Sequence, residues 1–218
     1  GTLTIAANGT LSAPRGNLTI AGGGYSFDNN GTDPTTSLIH NDGTVTIDGG
    51  NQQLRGGGSS TGTHFYNLTQ DGSGYIDGYE RYTVENKLTT KAGVSYYMNG
   101  DNYIYIGKSG VRAGEFEING AMNFTTNGRC YIEGAGGPTL PALIDYNGSH
   151  SGASGATGDD TAYVHLTNTN WDGTLTTGTT NFKLLGDAEF DAVTISSGAE
   201  LDLNGQRMEC SGKFTNSG

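Results

Sequence analysis

Hydrophobic residues in this chain occur as short couplets of the form apolar-x-apolar, separated by small polar gaps. The clearest stretch is 193–212, which reads VTISSGAELDLNGQRMECSG. Its three couplets are Val193 with Ile195, Leu201 with Leu203, and Met208 with Cys210. Alternation with a period of two puts side chains on one face of a β-strand, and glycine or asparagine in the gaps permits tight bends. We therefore expect each couplet to be one short strand that points its apolar side chains inward.

Two all-β architectures fit such strands, an antiparallel β-sandwich and a parallel β-solenoid. The couplets recur about every 7–8 residues, which is closer than the turn interval of about 8–12 residues that is typical of a hairpin sandwich. The pattern favours a chain that bends two or three times per coil and lays each coil on the previous one. We predict a right-handed parallel β-helix (β-solenoid) of short strands, with an antiparallel β-sandwich as the alternative.

The chain also repeats itself over a longer distance. Residues 88–109 align without a gap on residues 193–214, a shift of 105 positions, and the alignment superposes Gly93 on Gly198 as well as the apolar couplets. A weaker copy at 3–23 opens the chain. Self-similarity of this kind is the signature of repeat architectures.

These repeats divide the chain into two units. We predict a β-solenoid repeat region at 1–110, made of a partial leading module and a first full unit. A second β-solenoid unit follows at 111–218 and contains a glycine-rich insertion at 134–160.

Composition narrows the picture further. The chain has 38 Gly and only 33% hydrophobic residues, yet it has 12 Tyr and 7 Phe, which favours many short strands over disorder. Glycine is frequent enough to disfavour helix almost everywhere. We expect no binding to nucleic acid, because a chain with a net charge of -11 does not neutralise the phosphate backbone. No apolar run approaches the about 18 residues of a membrane span, so we expect no membrane insertion.

Three segments carry a resemblance to known proteins: SGAELDLNG (197–205), GKFTNSG (212–218) and FYNLT (65–69). The chain resembles repeat-containing β-solenoid surface proteins, namely bacteriophage tail-fibre or virion appendage proteins and bacterial autotransporter-like adhesins. The resemblance implies an extracellular or virion-surface location and assembly with copies of itself or with other surface proteins. It brings no catalytic residues, because the repeat motif contains none.

The expected function is a structural and adhesive, non-enzymatic segment of a virion surface appendage, either a phage fibre or a decoration protein. A bacterial cell-surface adhesin is one alternative. A polysaccharide-degrading β-helix enzyme is the other, because parallel β-helices can carry paired carboxylates on one groove. The candidate groups for such an enzyme are Asp71 with Asp77 and Glu80, Glu115 with Glu117, Asp159 with Asp160, and Asp187 with Glu189 and Asp191. Residues two apart on a strand meet the required separation trivially, so these pairs more simply form a solvated face.

Metal and cofactor chemistry has little support in the sequence. The Asp- and Asn-rich turns at 26–33 and 157–161 offer oxygen ligands to Ca²⁺, but no EF-hand spacing is present and turn chemistry explains them better. The four histidines, His40, His64, His150 and His165, have no zinc-site spacing. We expect no cofactor and no metal.

Aromatic residues are the best candidates for partner contact. Tyrosines beside Asn and Asp suit stacking on sugar rings or packing at a subunit interface. The residues expected to contact a host glycan or partner are Tyr75, Tyr79, Tyr82, Tyr97 and Trp171. Outward threonines in a regular array would organise ice-like water on such a fold, but Asp, Glu, Asn and Lys interrupt them along the chain. The two cysteines, Cys130 and Cys210, are expected to be buried free thiols.

Overall fold

The computed structural model describes most of the chain. The described residues are 1–57, 62–72, 74–91, 93–98, 103–108, 111–118, 121–124, 129–133, 142–146, 149–151, 163–167, 173–177, 181–184 and 186–217.

Short β-strands make up nearly all of the regular structure. The first part of the chain contains β1 (Leu3–Ile5), β2 (Leu11–Ser12), β3 (Asn17–Ala21), β4 (Gly24–Asn29), the single-turn helix α1 (Pro34–Ser37), β5 (Leu38–Ile39), β6 (Thr44–Asp48), β7 (Gln52–Arg55), β8 (Thr63–Gln70), β9 (Gly74–Tyr79) and β10 (Tyr82–Thr90). The middle contains β11 (Val94–Met98), β12 (Tyr103–Lys108), β13 (Arg112–Ala113), β14 (Glu115–Ile118), β15 (Ala121–Phe124), β16 (Arg129–Glu133), β17 (Ala142–Tyr146) and β18 (Ser149–Ser151). The last part contains β19 (Tyr163–Thr167), β20 (Gly173–Thr176), β21 (Asn181–Leu184), β22 (Ala188–Phe190), β23 (Ala192–Ile195), β24 (Leu201–Asp202), β25 (Met208–Cys210) and β26 (Phe214–Asn216).

The strands stack in three parallel ladders that run along the molecule. The first ladder is β1, β4, β7, β9, β11, β15 and β18. The second consists of the N-terminal halves of β8 and β10 followed by β12, β16, β19, β21 and β24. The third is β3, β6, β8, β10, β14, β17, β20, β23 and β26.

This topology confirms the predicted parallel β-solenoid and rules out the antiparallel sandwich. Among the described pairings only β12 with β13 is antiparallel. The right-handed coiling stays a prediction. The ladders also run without a break past residue 110, because β10 pairs with β14 and β12 pairs with β16. Within the glycine-rich segment 134–160, β17 and β18 take their places in these ladders.

Between Val45 and Val193, the aligned apolar side chains whose burial is described fill the interior behind the third ladder. The register aligns Leu18, Val45, Leu68, Leu88, Phe116, Ile144, Leu175, Val193 and Phe214. The central members whose burial is described, such as Leu68, Leu88 and Val193, are fully buried. Burial of one such side chain contributes about 1.5–3 kcal/mol. A low hydrophobic fraction is therefore sufficient, because each strand needs only one or two inward residues.

An aromatic stack fills another part of the interior. Phe65 meets Phe27 with ring centroids 5.2 Å apart and Tyr82 with centroids 6.0 Å apart, both in edge geometry. All three side chains are fully buried. Edge-to-face contacts of this kind add about 0.5–1.5 kcal/mol beyond the area they bury.

The couplet prediction is correct for one strand and partly wrong for the next. Val193 and Ile195 are buried as expected, but Leu203 is 40% exposed. Leu201, Met208 and Cys210 are only half-buried. In the described residues β24, β25 and β26 each pair on one side only, so a coil covers one side of this layer and leaves the other open. Cys210 is a free thiol, as predicted, while the side chain of Cys130 lies outside the described part.

The bends lie where the repeat predicts them. Gly93 and Gly198, which the repeat superposes, have φ of 86° and 81°, and the Asn204–Gly205 pair has φ of 49° and 74°. Left-handed backbone of this kind favours glycine and, less strongly, asparagine. A different constraint acts at Gly49, where an added Cβ would lie 2.0 Å from the carbonyl oxygen of Gly22 in the coil below. Only glycine lets these two coils approach so closely.

Candidate functional site

A β-bulge in β10 produces the most unusual side-chain cluster of the described structure. The pairing of β10 with β8 shifts register between Val84 and Lys87, so that Glu85 and Asn86 together oppose Tyr66. A bulge re-aims the side chains next to it. Here the strand leaves the second ladder and enters the third, and Glu85 lies at that corner with only 7% of its surface exposed.

Glu85 is surrounded by cationic or protonatable groups from three other coils. His64 Nδ1 lies 2.9 Å from Oε1, and Lys108 Nζ donates to Oε2 at 2.8 Å. His40 Nε2 lies 3.6 Å from Oε2. The hydrogen bond from His64, together with that from Lys108, lowers the pKa of Glu85 to about 2, although burial opposes the change. Glu85 is therefore ionised at neutral pH.

Hydrogen-bond partners assign the tautomers of the two histidines. The backbone N–H of Asp42 donates to His40 Nδ1 at 3.0 Å, so the ring proton of neutral His40 is on Nε2, on the side of Glu85. His64 instead carries its proton on Nδ1, where it donates to Glu85. The ring of His40 stacks on Tyr66 with centroids 5.5 Å apart. Both imidazoles thus present an N–H group to the same carboxylate.

A groove of about 490 Å³ opens beside this cluster and is called the Glu85 groove below. Its lining residues are Thr35, Thr36, Leu38, Ile39, His40, Asn41, His64 and Glu85. The short helix α1 forms one wall and is held by Asp33, whose carboxylate accepts from the N–H and the hydroxyl of Thr35. The side-chain hydrogen bonds from Thr35 and Thr36 lower the pKa of Asp33.

The arrangement suits binding and cohesion better than acid–base catalysis. A glycosidase needs a carboxyl group with a raised pKa as its general acid. The two described carboxyl groups with a shifted pKa are Asp33 and Glu85, and both shift downward. Both oxygens of Glu85 already accept hydrogen bonds. His64 Nε2 is the one polar atom of this cluster that is buried without a partner among the described residues.

Four of the predicted acidic residues lie beside cations from neighbouring coils. Lys87 lies 2.7 Å from Glu117 and 3.8 Å from Glu115, and the hydrogen bond to Glu117 raises the pKa of Lys87. Asp71 forms an ion pair with Lys91, and Asp187 lies 3.9 Å from Arg207.

The other predicted acidic residues have different surroundings. Glu80 accepts a hydrogen bond from the backbone of Gly57 at 2.6 Å, and the side chain of Glu189 is exposed. Asp191 is also exposed, and its carboxylate lies 3.4 Å from the hydroxyl of Ser211. The side chain of Asp77, and residues 159–160 entirely, lie outside the described part.

Of the predicted aromatic contact residues, only Tyr82 has a described side chain. Tyr82 is wrong as a surface contact, because it is fully buried against Phe65. Its place in β10 alternates inward with Val84, which the alternation of apolar residues in YTV already indicates. Tyr75, Tyr79 and Tyr97 lie on strands β9 and β11, and their side chains are outside the description. Trp171 lies outside the described residues altogether.

Side-chain oxygens of the turn at 26–33 accept hydrogen bonds from other groups of the protein. Asn29 Oδ1 accepts from the N–H of Gly31, Asn30 donates to Asp28, and Asp33 caps α1. Within the described ranges no group of three or more His, Cys, Asp or Glu side chains has the geometry of a metal site. The second predicted turn, 157–161, lies outside those ranges.

Sequence reasoning missed the Glu85 cluster. Its four charged or protonatable members are spread over His40 to Lys108 and meet only because four coils stack. The one local signal is the pair Glu85–Asn86, which breaks the alternation of β10.

No protein-family model, curated protein or solved structure matches this chain. In the part of the chain that is described, no helix is long and apolar enough to cross a membrane. The functional argument therefore rests on the β-solenoid and its side chains.

Proposed function

We propose that this chain is a structural and adhesive, non-enzymatic segment of a virion surface appendage, exposed outside the cell. It acts as a rod that assembles with copies of itself or with other surface proteins. The observation that carries the proposal is the use of outward charges to join one coil to another.

In the described part of the chain, five Lys or Arg side chains pair with an acid on a neighbouring coil. The pairs are Lys87 with Glu117, Lys91 with Asp71, Lys108 with Glu85, Lys183 with Asp202, and Arg207 with Asp187. An exposed pair contributes only up to about 1 kcal/mol. Repeated along the rod, such pairs resist the separation of coils. A surface fibre has to withstand forces that pull its coils apart.

Polar ladders act in the same direction. Asn86 donates to Asn67 at 2.6 Å, and Asn67 donates to Thr44 at 3.3 Å, so one chain of side chains links three coils. Each bond contributes about 1 kcal/mol. The outward chemistry of this region thus maintains the stack.

The outermost described coils support assembly. Leu3, Leu11 and Leu18 are half-buried at one end, while Leu203 and Phe214 are 40% and 48% exposed at the other. Unpaired strand edges and exposed apolar side chains favour the addition of another coil.

Electron microscopy and cross-linking of the purified chain test the assembly directly. We expect concentration-dependent particles longer than one copy, and a monomer at every concentration would contradict the proposal. Incubation with capsular and cell-wall glycans should release no reducing ends. Release of such ends would favour the polysaccharide-degrading alternative.

Contact with a host glycan belongs to the same proposal. Tyr75, Tyr79, Tyr97 and Trp171 are the residues we expect to make it. A glycan array probed with the wild-type chain and with Trp171→Ala tests this point. Binding that Trp171→Ala abolishes would support it, and an array without any signal would remove the adhesive part of the function.

A further inference from the structure

The third ladder carries a column of threonines that the linear sequence conceals. Backbone register aligns one residue from each of nine strands, and seven of the nine are threonine. The residues in order are Thr19, Thr46, Thr69, Thr89, Glu117, Asp145, Thr176, Thr194 and Thr215. We call the seven threonines the threonine column.

Strand propensity alone does not account for this column. Threonine favours strands in general, so propensity would place it equally in the neighbouring column two residues earlier. That column instead reads Asn17, Thr44, Asn67, Lys87, Glu115, Leu143, Thr174 and Ala192. The Asn, Lys and Glu residues that interrupt the outward threonines along the chain lie mainly in this neighbouring column. Only Glu117 and Asp145 interrupt the threonine column itself.

Several hydroxyl groups of the column are available to solvent. Thr19 is exposed, and Thr69, Thr89, Thr176, Thr194 and Thr215 are half-buried. Among the described contacts, no hydrogen bond ties the hydroxyls of Thr69, Thr89 or Thr194 to the protein. Thr19 and Thr46 are the exceptions. The hydroxyl of Thr19 accepts from the amide of Asn17 at 2.9 Å, and the buried Thr46 donates to Asn17 at 2.7 Å.

Parallel, in-register stacking turns these hydroxyls into a regular array. Neighbouring strands lie about 4.8 Å apart, and residues i and i+2 lie about 6.6 Å apart along a strand. Thr44, Asn67 and Thr174 in the adjacent column add polar groups at the second spacing. The face therefore presents hydroxyl and amide groups on a two-dimensional grid, with threonine methyl groups between them. The ion-paired side chains of Lys87, Glu115 and Glu117 interrupt this grid near its middle.

We propose that the threonine column binds the surface of ice. A crystal of ice exposes oxygens on a fixed lattice whose repeats are of the same size as this grid. A rigid hydroxyl array holds its first layer of water near those lattice positions, so that the layer joins a growing ice surface. The methyl groups exclude water from the spaces between and favour one arrangement of that layer. This activity is independent of the appendage function proposed above.

The experiment measures thermal hysteresis and inhibition of ice recrystallisation with the whole chain. The perturbing variant is Thr69→Lys with Thr89→Lys, which places two long charged side chains on the column. The matched control is Thr2→Lys with Thr4→Lys, which adds the same charge at exposed positions at and beside β1 in the first ladder. Circular dichroism and melting curves of both variants confirm that they fold.

The wild-type chain and the Thr2/Thr4 control should both slow ice growth, and the Thr69/Thr89 variant should lose the effect. Glu117→Thr, which extends the column by one strand beyond Thr89, should increase hysteresis. The proposal is overturned if the wild-type chain has no effect on ice, or if the control loses as much activity as the Thr69/Thr89 variant. Binding to crystalline cellulose or chitin without any effect on ice would also overturn it.

Discussion

Replacement of Glu85 by glutamine gives the sharpest quantitative test of coil cohesion. The pKa of this carboxyl falls from 4.5 to about 2 in the folded protein because His64, and then Lys108, hydrogen-bond to it. At about 1.4 kcal/mol per pKa unit, this corresponds to about 3 kcal/mol of stability. Glutamine keeps the shape of the side chain but removes its charge. We therefore expect Glu85→Gln to lower the free energy of unfolding at pH 7 by about 2–3 kcal/mol.

The pH dependence separates this charge effect from a packing effect. A lowered folded-state pKa means that the stabilisation is fully present above the unfolded value of 4.5 and is lost as the pH falls through about 2. Urea unfolding of both proteins between pH 7 and pH 2 measures the difference. It should be largest at pH 7 and shrink towards zero at pH 2.

Other carboxyl groups titrate in both proteins and cancel in this difference. Glu189→Gln, at an exposed position, is the matched control and should change stability by less than about 0.5 kcal/mol. A gap between wild type and Glu85→Gln that stays constant over the whole pH range would refute the reasoning. It would mean that the substitution acts through changed hydrogen-bond partners and not through the loss of the charge of Glu85.

Three further substitutions test the stack at other points. Phe65→Ala should cost about 3–5 kcal/mol in chemical unfolding because Phe65 is fully buried between Phe27 and Tyr82, whereas Phe214→Ala at a 48% exposed position should cost under about 1 kcal/mol. Gly49→Ala should lower the melting temperature strongly, because its Cβ would lie 2.0 Å from the carbonyl oxygen of Gly22. Gly16→Ala is the control and should not lower it, because the added Cβ would have no atom within 4 Å. Equal effects of the two substitutions would contradict the close approach of coils at Gly49. Asn67→Ala should cost about 1–2 kcal/mol by breaking the ladder from Asn86 to Thr44, and an unchanged unfolding curve would show that this ladder is unimportant.

The local sequence pattern predicted the β-solenoid fold but not the cluster around Glu85. The Val193–Ile195 couplet and the bend at Gly198 follow from alternation and backbone freedom, which act over a few residues, and the structure confirms both. Leu203 belongs to an equally regular couplet and is nevertheless exposed, because its burial depends on a further coil that the pattern of one strand does not contain.

Long-range register explains what the sequence left hidden. The Glu85 groove and the threonine column both combine residues from several coils, and the coils differ in length, so no fixed spacing along the chain reveals them. Tyr82 was misplaced for a related reason. A tyrosine beside charged residues suits a surface, but the alternation within β10 turns this one into the aromatic interior.

Labelling of virions tests the central claim most directly. An antibody raised against the purified chain, coupled to gold, would be applied to intact virus particles and to cells of the source culture and viewed by electron microscopy. The account predicts gold along appendages of the particle. Gold confined to the surface of cells would contradict it and favour the bacterial adhesin.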